Sequence, residues 1–270
     1  MNIRLLHNLY YYENLILKID NTKIKQVNEA KFLGVTIDEN LNWNTHLKNL
    51  TKKLACSAGI INLIKDNIPD ELFKNLYYTL FESHLAYGIT VWGGVSNNKI
   101  EPLFKLQKKC IRILFGDKEA YLNKFKTCAR AREFEKQILG SDFYRRENTK
   151  PLFNKNSIMN IRNLYIYHCA NEIFKILKFR TPICLFENFS LSDRNGRETR
   201  LLTPTPSKNF FYEGSIIWNV VRELLKIYDF SLKLGPIKHD MKVKILEIQL
   251  QGDPSEWQNR TWNTLQYSRY

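Results

Sequence analysis

Between Lys31 and His46 the chain changes period, and that change limits what can form on either side. Leu33, Val35 and Ile37 alternate with Phe32, Gly34 and Thr36, the two-residue repeat of a strand with one buried face. Gly34 falls inside that repeat, where a missing side chain marks a bulge or a close backbone approach. Asp38-Glu39-Asn40 has the chemistry of a turn, and Asn42 or Asn44 is placed to cap a helix. From Asn44 to about residue 66 the spacing is helical: Leu47, Leu50, Leu54, Ile61 and Ile64 recur on one face. Upstream, Leu15, Leu17 and Ile19 alternate, Asp20-Asn21 turns, and Thr22 to Val27 returns. About three short strands over 13–37 thus lead into helices, and they are stable only where a helix covers their apolar face. The expected fold is mainly α: a helical bundle with a short N-terminal β hairpin or three-strand piece, α+β overall.

Helical signals continue downstream. Pro69 with Asp70-Glu71 suits a first helical turn, and 69–86 places Leu72, Leu76, Leu80 and His84 on one face. His84 in that line reads as a hydrogen-bonded core histidine. Tyr87 to Gly94 breaks the pattern. Ser96 can cap a helix over 97–115, with Ile100, Leu103, Leu106, Cys110 and Ile113 inside. Lys105, Lys108, Lys109 and Arg112 are spaced to fall on an outward face. Residues 117–150 read as basic and largely helical. Leu164 to Phe179 forms a further helix, ended by Pro182. A turn-rich stretch over 187–215 precedes a helix from Ser215 to Lys226, and Lys242 to Gln249 can add another. The tail after Gly252 has no pattern that places it.

Charge narrows the partners more than any motif does. The net charge is +14, which favours nucleic acid or an acidic membrane surface. Ser96 to Arg146 holds 13 Lys and Arg against 6 Asp and Glu, a surplus of +7 in 51 residues. With Lys48, Lys52 and Lys53 on the preceding helix, these residues form a candidate nucleic-acid footprint. For any one of them a solvated helix face is the simpler account. No apolar run approaches the ~20 residues of a membrane span. The start, Met1 to Tyr10, lacks the apolar core of a signal peptide. Cys56, Cys110, Cys128, Cys169 and Cys184 are odd in number and widely spaced, which predicts reduced thiols and an intracellular setting, cytoplasm or nucleus.

The search for catalytic chemistry is largely empty. There is no Cys-x-x-Cys pair and no His-x-x-x-His. His168 and Cys169 are adjacent and lie on different helix faces, a poor metal geometry. Gly93-Gly94 stands alone rather than in a phosphate loop. There is no Gly-x-Ser-x-Gly elbow and no Asp-Asp dipeptide. A two-metal nucleotidyl-transfer site needs carboxylates converging from neighbouring strands. Only Asp20 and Asp38 end the strands here, so no catalytic residue, metal ligand, cofactor or small-molecule substrate is assigned.

A series of short motifs does resemble a known family. These are Lys31-Phe-Leu-Gly-Val-Thr-Ile-Asp38, Leu41-Asn-Trp43, His46, Leu76-Tyr-Tyr-Thr-Leu80, Ser83-His-Leu-Ala-Tyr-Gly88, Val91-Trp-Gly93 and Leu106-Gln-Lys-Lys-Cys-Ile-Arg-Ile113. Thr149-Lys-Pro-Leu-Phe153, Asn163-Leu-Tyr-Ile-Tyr167, Thr199-Arg200, Pro204 and Trp218-Asn219 extend it. In order and spacing, from about Leu15 to Leu225, they resemble the C-terminal part of jockey-like non-LTR retrotransposon reverse transcriptases. The resemblance implies a palm remnant over 1–40, a helical thumb-like domain over 41–150 and a helical, loop-rich region over 151–270. It implies that Lys31, Phe32, Leu33 and Gly34 match the primer grip, a hairpin that holds the primer 3′ end. It also implies that Lys48, Lys52, Lys53, Lys105, Lys108, Lys109 and Arg112 touch template–primer phosphates.

The family's catalytic Tyr-x-Asp-Asp motif lies upstream of the primer grip, and magnesium serves it there. The expectation is therefore a chain that does not polymerise DNA and at most binds RNA or DNA template–primer backbone weakly. A transposon remnant without function and a helical protein–protein module remain as alternatives.

Overall fold

The computed structural model describes residues 18–116, 149–191, 199–204 and 210–251. The readings of Leu15 and Leu17, of the basic stretch 117–148, of Cys128 and of the tail after Gly252 lie outside those residues. Among the described residues, four strands precede the first helix, as two separate antiparallel hairpins. β1 (Lys18–Ile19) pairs with β2 (Thr22–Lys23), and β3 (Glu29–Phe32) pairs with β4 (Val35–Asp38). Both turns have two residues, and both turn residues have positive φ: Asp20 47° and Asn21 65°, then Leu33 44° and Gly34 81°. This is the turn hand that matches strand twist.

The second hairpin corrects the reading of Lys31 to Ile37 as one strand, and two pairs replace the expected three strands. Gly34 is the second residue of a turn, not a bulge. A two-residue turn consumes one full period of the alternation, so the apolar repeat passes through it unbroken. Leu33 in place of the usual Asn or Asp removed the local cue.

β3 is exposed throughout, while β4 is half-buried against α1 (Asn44–Ile64). Neither Asn42 nor Asn44 caps α1. Trp43 holds the N-cap position with φ 62° and makes no capping bond there. Asp38 organises the entry instead. Its Oδ1 accepts from the backbone N–H of Asn40 (3.2 Å) and Asn42 (2.9 Å), and its Oδ2 accepts from that of Trp43 (2.7 Å). A carboxylate that collects three amides makes the sharp strand-to-helix turn affordable without a helix cap.

α1 buries Leu47, Leu50, Leu54, Ala58 and Ile61. It runs parallel to α5 (Asn97–Phe115). Lys99 Nζ donates to Asn42 O at 2.8 Å near one end, and Lys65 Nζ donates to Ile113 O at 3.5 Å near the other. The arm between them comes back as a 3₁₀ turn (Asp70–Leu72), α2 (Phe73–Tyr77), a π turn (Tyr78–Glu82) and α3 (Ser83–Ala86). Its buried line is Phe73, Tyr77, Phe81 and Leu85, one residue on from the expected Leu72, Leu76, Leu80 and His84. Both lines have i, i+4 spacing. The aromatic one bury more area and take the core, leaving Leu72 47% exposed and His84 half-exposed.

α4 (Ile89–Trp92) follows, and Ser96 then takes the N-cap position of α5 without a side-chain bond. The remaining helices among the described residues are α6 (Lys150–Lys155), α7 (Ile161–Phe179), α8 (Ile183–Phe186), α9 (Phe210–Leu224) and α10 (Leu234–Gln251). α7 starts three residues before Leu164, because the Asn160 side chain accepts from the amides of Arg162 and Asn163, each at 3.0 Å. α9 and α10 likewise start earlier than Ser215 and Lys242.

Two amides knit these helices together. Gln107, fully buried on α5, donates to Tyr77 Oη (2.8 Å) and to Met159 O (3.0 Å), and accepts from Ile161 N (3.0 Å). Gln249 on α10 accepts from Asn160 N, Asn160 Nδ2 and Asn163 Nδ2, and donates to Ile158 O at 2.8 Å. Buried residues from Leu47 to Ile245 form one continuous apolar cluster around them.

Candidate nucleic-acid interface

The four residues matched to the primer grip lie together at the end of the β3–β4 hairpin. Lys31 faces Thr36 across the ladder, Phe32 faces Val35, and Leu33-Gly34 form the tip. Phe32 is 64% exposed and Leu33 74%. Apolar side chains this exposed on a short hairpin gain nothing from the core.

Beside the half-buried face of β4, polar bonds hold the hairpin. Asp38 anchors its base, as above. The Thr36 amide donates to His46 Nδ1 at 3.4 Å. That bond needs a neutral imidazole, and burial lowers the His46 pKa in the same sense. At the tip, Tyr87 Oη donates to Leu33 O at 2.6 Å.

The seven basic candidates divide into several environments. Lys48 and Lys52 sit one turn apart on an exposed edge of α1. Lys53 is also exposed but lies 100° further round the helix. From there its charge acts on His84, whose pKa is lowered by partial burial and then by the Lys53 charge. On α5, Lys105 and Lys109 are exposed, and Lys105 makes only a loose 3.9 Å pair with Glu101.

Lys108 and Arg112 depart from the expected outward face, for both are half-buried. Lys108 Nζ lies 4.0 Å from the Phe104 ring centroid. Arg112 Nε is buried with no hydrogen-bond partner. Long aliphatic stems lie along apolar neighbours here, which spacing alone does not reveal.

Sequence reasoning passed over one titrating group. Tyr78, Glu82, Tyr167, His168 and Lys242 line a shallow cleft of about 250 Å³ beside the π turn. Burial pushes the Glu82 carboxyl up to about 7, while the Lys242 ammonium pulls it down. Its Oε2 has no hydrogen-bond partner. The only sequence signal is a glutamate among tyrosines on a helical arm. The cleft holds no nucleophile–base pair, and among the described residues no three His, Cys, Asp or Glu group as a metal site.

Gly93-Gly94 is a packing device. A Cβ on Gly93 would lie 2.5 Å from Ile89 O and from the Tyr165 ring, and one on Gly94 would collide with the Glu213 carboxylate. Tyr165 Oη donates to that carboxylate at 2.9 Å. Among the described residues no helix is long and apolar enough to cross a membrane.

The chain is similar to a probable RNA-directed DNA polymerase from transposon X-element of Drosophila melanogaster. The two are 23% identical over 103 residues, which is 36% of this chain and 11% of the polymerase. The similarity supports a distant relation to transposon reverse transcriptases. This chain spans about a tenth of that relative's length. No protein-family model matches the chain, and no solved structure does.

Proposed function

We propose that the chain is a non-catalytic, reverse-transcriptase-like protein that binds template–primer duplex through its backbone. Lys48, Lys52, Lys53, Lys105 and Lys109 neutralise phosphates, with Lys108 and Arg112 contributing from their half-buried positions. The tip residues Lys31, Phe32, Leu33 and Gly34 meet the primer end. In this reading 1–40 is a palm remnant, 41–150 is thumb-like, 151–270 is a C-terminal region, and the protein acts in the cytoplasm or nucleus. The observation that carries it is the pairing of two parallel lysine-bearing helices with an exposed hairpin tip that the apolar core does not hold. Phosphate contacts of this kind position a protein without reading sequence. Binding needs no metal or cofactor.

The test has two parts. With magnesium, nucleotides and primer–template, the purified chain extends nothing, as expected of a chain without an Asp-Asp pair. With labelled duplex, affinity falls linearly with salt in log–log terms and hardly varies with base sequence. Extension above a no-protein control overturns the first part. Absence of salt-dependent binding overturns the second.

A further inference from the structure

The hairpin tip projects from the molecule, yet its position is set at one point by a residue distant in sequence. Tyr87 follows α3 and donates its phenol hydrogen to Leu33 O at 2.6 Å. Its ring also lies under the turn, since a Cβ on Gly34 would come 3.2 Å from Tyr87 Cε1. Tyr87 is in turn held from behind: its own carbonyl accepts from Trp92 Nε1 at 3.0 Å, and Trp92 is fully buried. Gly88, with φ 63°, brings the chain round so that a Cβ there would lie 3.2 Å from Val35 Cγ2. Core indole, Tyr87 carbonyl, Tyr87 phenol and hairpin tip thus form a continuous strut.

Tyr87 is 55% exposed, so its phenol needs no buried partner, since water would satisfy it. Its bond to a turn carbonyl therefore fixes the geometry of the tip more than it stabilises the fold. We propose that Tyr87 is a positioning residue, holding Phe32 and Leu33 at a fixed height so that they pack against the terminal base pair of a bound duplex. The inference rests on the nucleic-acid reading above and assigns Tyr87 a role that reading does not contain. Two hydrophobic side chains beside Lys31 suit a duplex end, which offers an apolar base face next to a phosphate.

The experiment uses a duplex with a recessed 3′ end that carries 2-aminopurine at the terminal position or, as a control, in the interior. The native chain changes the terminal probe's fluorescence and leaves the interior probe alone. Tyr87→Phe removes one hydroxyl and keeps the ring. It loses most of the terminal signal, while its overall affinity at low salt and its salt slope match the native chain. Hydrogen exchange across 29–38 rises in the same variant. Leu33→Ala, at a site 74% exposed, leaves folding intact and also loses the terminal signal. If Tyr87→Phe or Leu33→Ala binds with a native terminal signal, the strut has no positioning role and the inference is overturned alone. If the native chain binds no duplex, the nucleic-acid reading fails and takes this inference with it.

Discussion

The β3–β4 hairpin and the helical core around Gln107 are both fastened by side chains that hydrogen-bond to backbone, but they do so on opposite sides of the protein surface. At Gln107 the amide and its partners are buried among Tyr77, Leu103 and Ile111, all at 0% exposure. An unmade bond there has no water to replace it. At the hairpin, Tyr87, Asp38 and His46 hold a ribbon whose β3 strand is exposed at every residue. Those bonds lie at or near the surface, so water replaces them at a lower cost than in the core. The core is therefore rigid by necessity and the hairpin is held by choice of contacts, which suits an element whose exposed tip is to touch something else. Limited proteolysis expresses the contrast: cleavage within 18–38 precedes cleavage within 44–115. Equal rates would contradict it.

The comparison sharpens most at Gln107. Gln107→Leu keeps the volume but strands Met159 O and Ile161 N, a loss of about 3 kcal/mol or more by urea unfolding. Its effect is on global unfolding, whereas the hairpin variants act on local opening of the hairpin and the start of α1.

The next effect belongs to Glu82. Its folded pKa of about 7 lies above the ordinary 4.5, so the folded protein prefers the protonated carboxyl. Its contribution is greatest below 4.5 and is lost as pH rises through 7. Glu82→Gln therefore stabilises the core at pH 8 by on the order of 1–3 kcal/mol and converges with the native chain toward pH 4.5. The same gain at both pH values would show that Glu82 does not titrate there.

Asp38→Ala should cost about 1–2 kcal/mol, felt at the hairpin base and the first turn of α1. Hydrogen exchange at Asn42 and Trp43 reads it, and unchanged exchange there would contradict the three-amide anchor. The smallest effect is at His46. Burial lowers its folded pKa, so its contribution is complete above the ordinary 6.5 and declines as pH falls below that value. Cleavage within 18–38 then accelerates between pH 7 and pH 5, and His46→Gln, which has no titrating ring, removes most of that acceleration.

The helices were readable because their apolar spacing is long and regular: Leu47, Leu50, Leu54 and Ile61 are buried as expected. The hairpin was not, because a two-residue turn preserves strand parity and Leu33 stands where Asn or Asp would have announced it. On the return arm, two i, i+4 lines competed, and only packing decides between Leu72–His84 and Phe73–Leu85. The basic positions were legible as charges but not as environments. Lys108 lies on the Phe104 ring and Arg112 is half-buried, contacts that depend on neighbouring side chains rather than on spacing. Gln107 was part of a quoted motif, yet nothing local marked it as the amide that joins α2, α5 and α7.

Those environments choose the decisive measurement. Lys48, Lys52, Lys105 and Lys109 are exposed and can be removed without disturbing the core, whereas Lys108 and Arg112 cannot. Duplex affinity is measured against salt for the native chain and for a variant with Lys48→Ala, Lys52→Ala, Lys105→Ala and Lys109→Ala. Each substitution should change stability by no more than about 0.5 kcal/mol, so circular dichroism of the variant stays native. The account predicts weaker binding and a log–log slope flattened by up to about 0.9 for each lysine that meets a phosphate. A folded variant with native affinity and native slope would contradict it, leaving these lysines as solvated helix faces and nothing more.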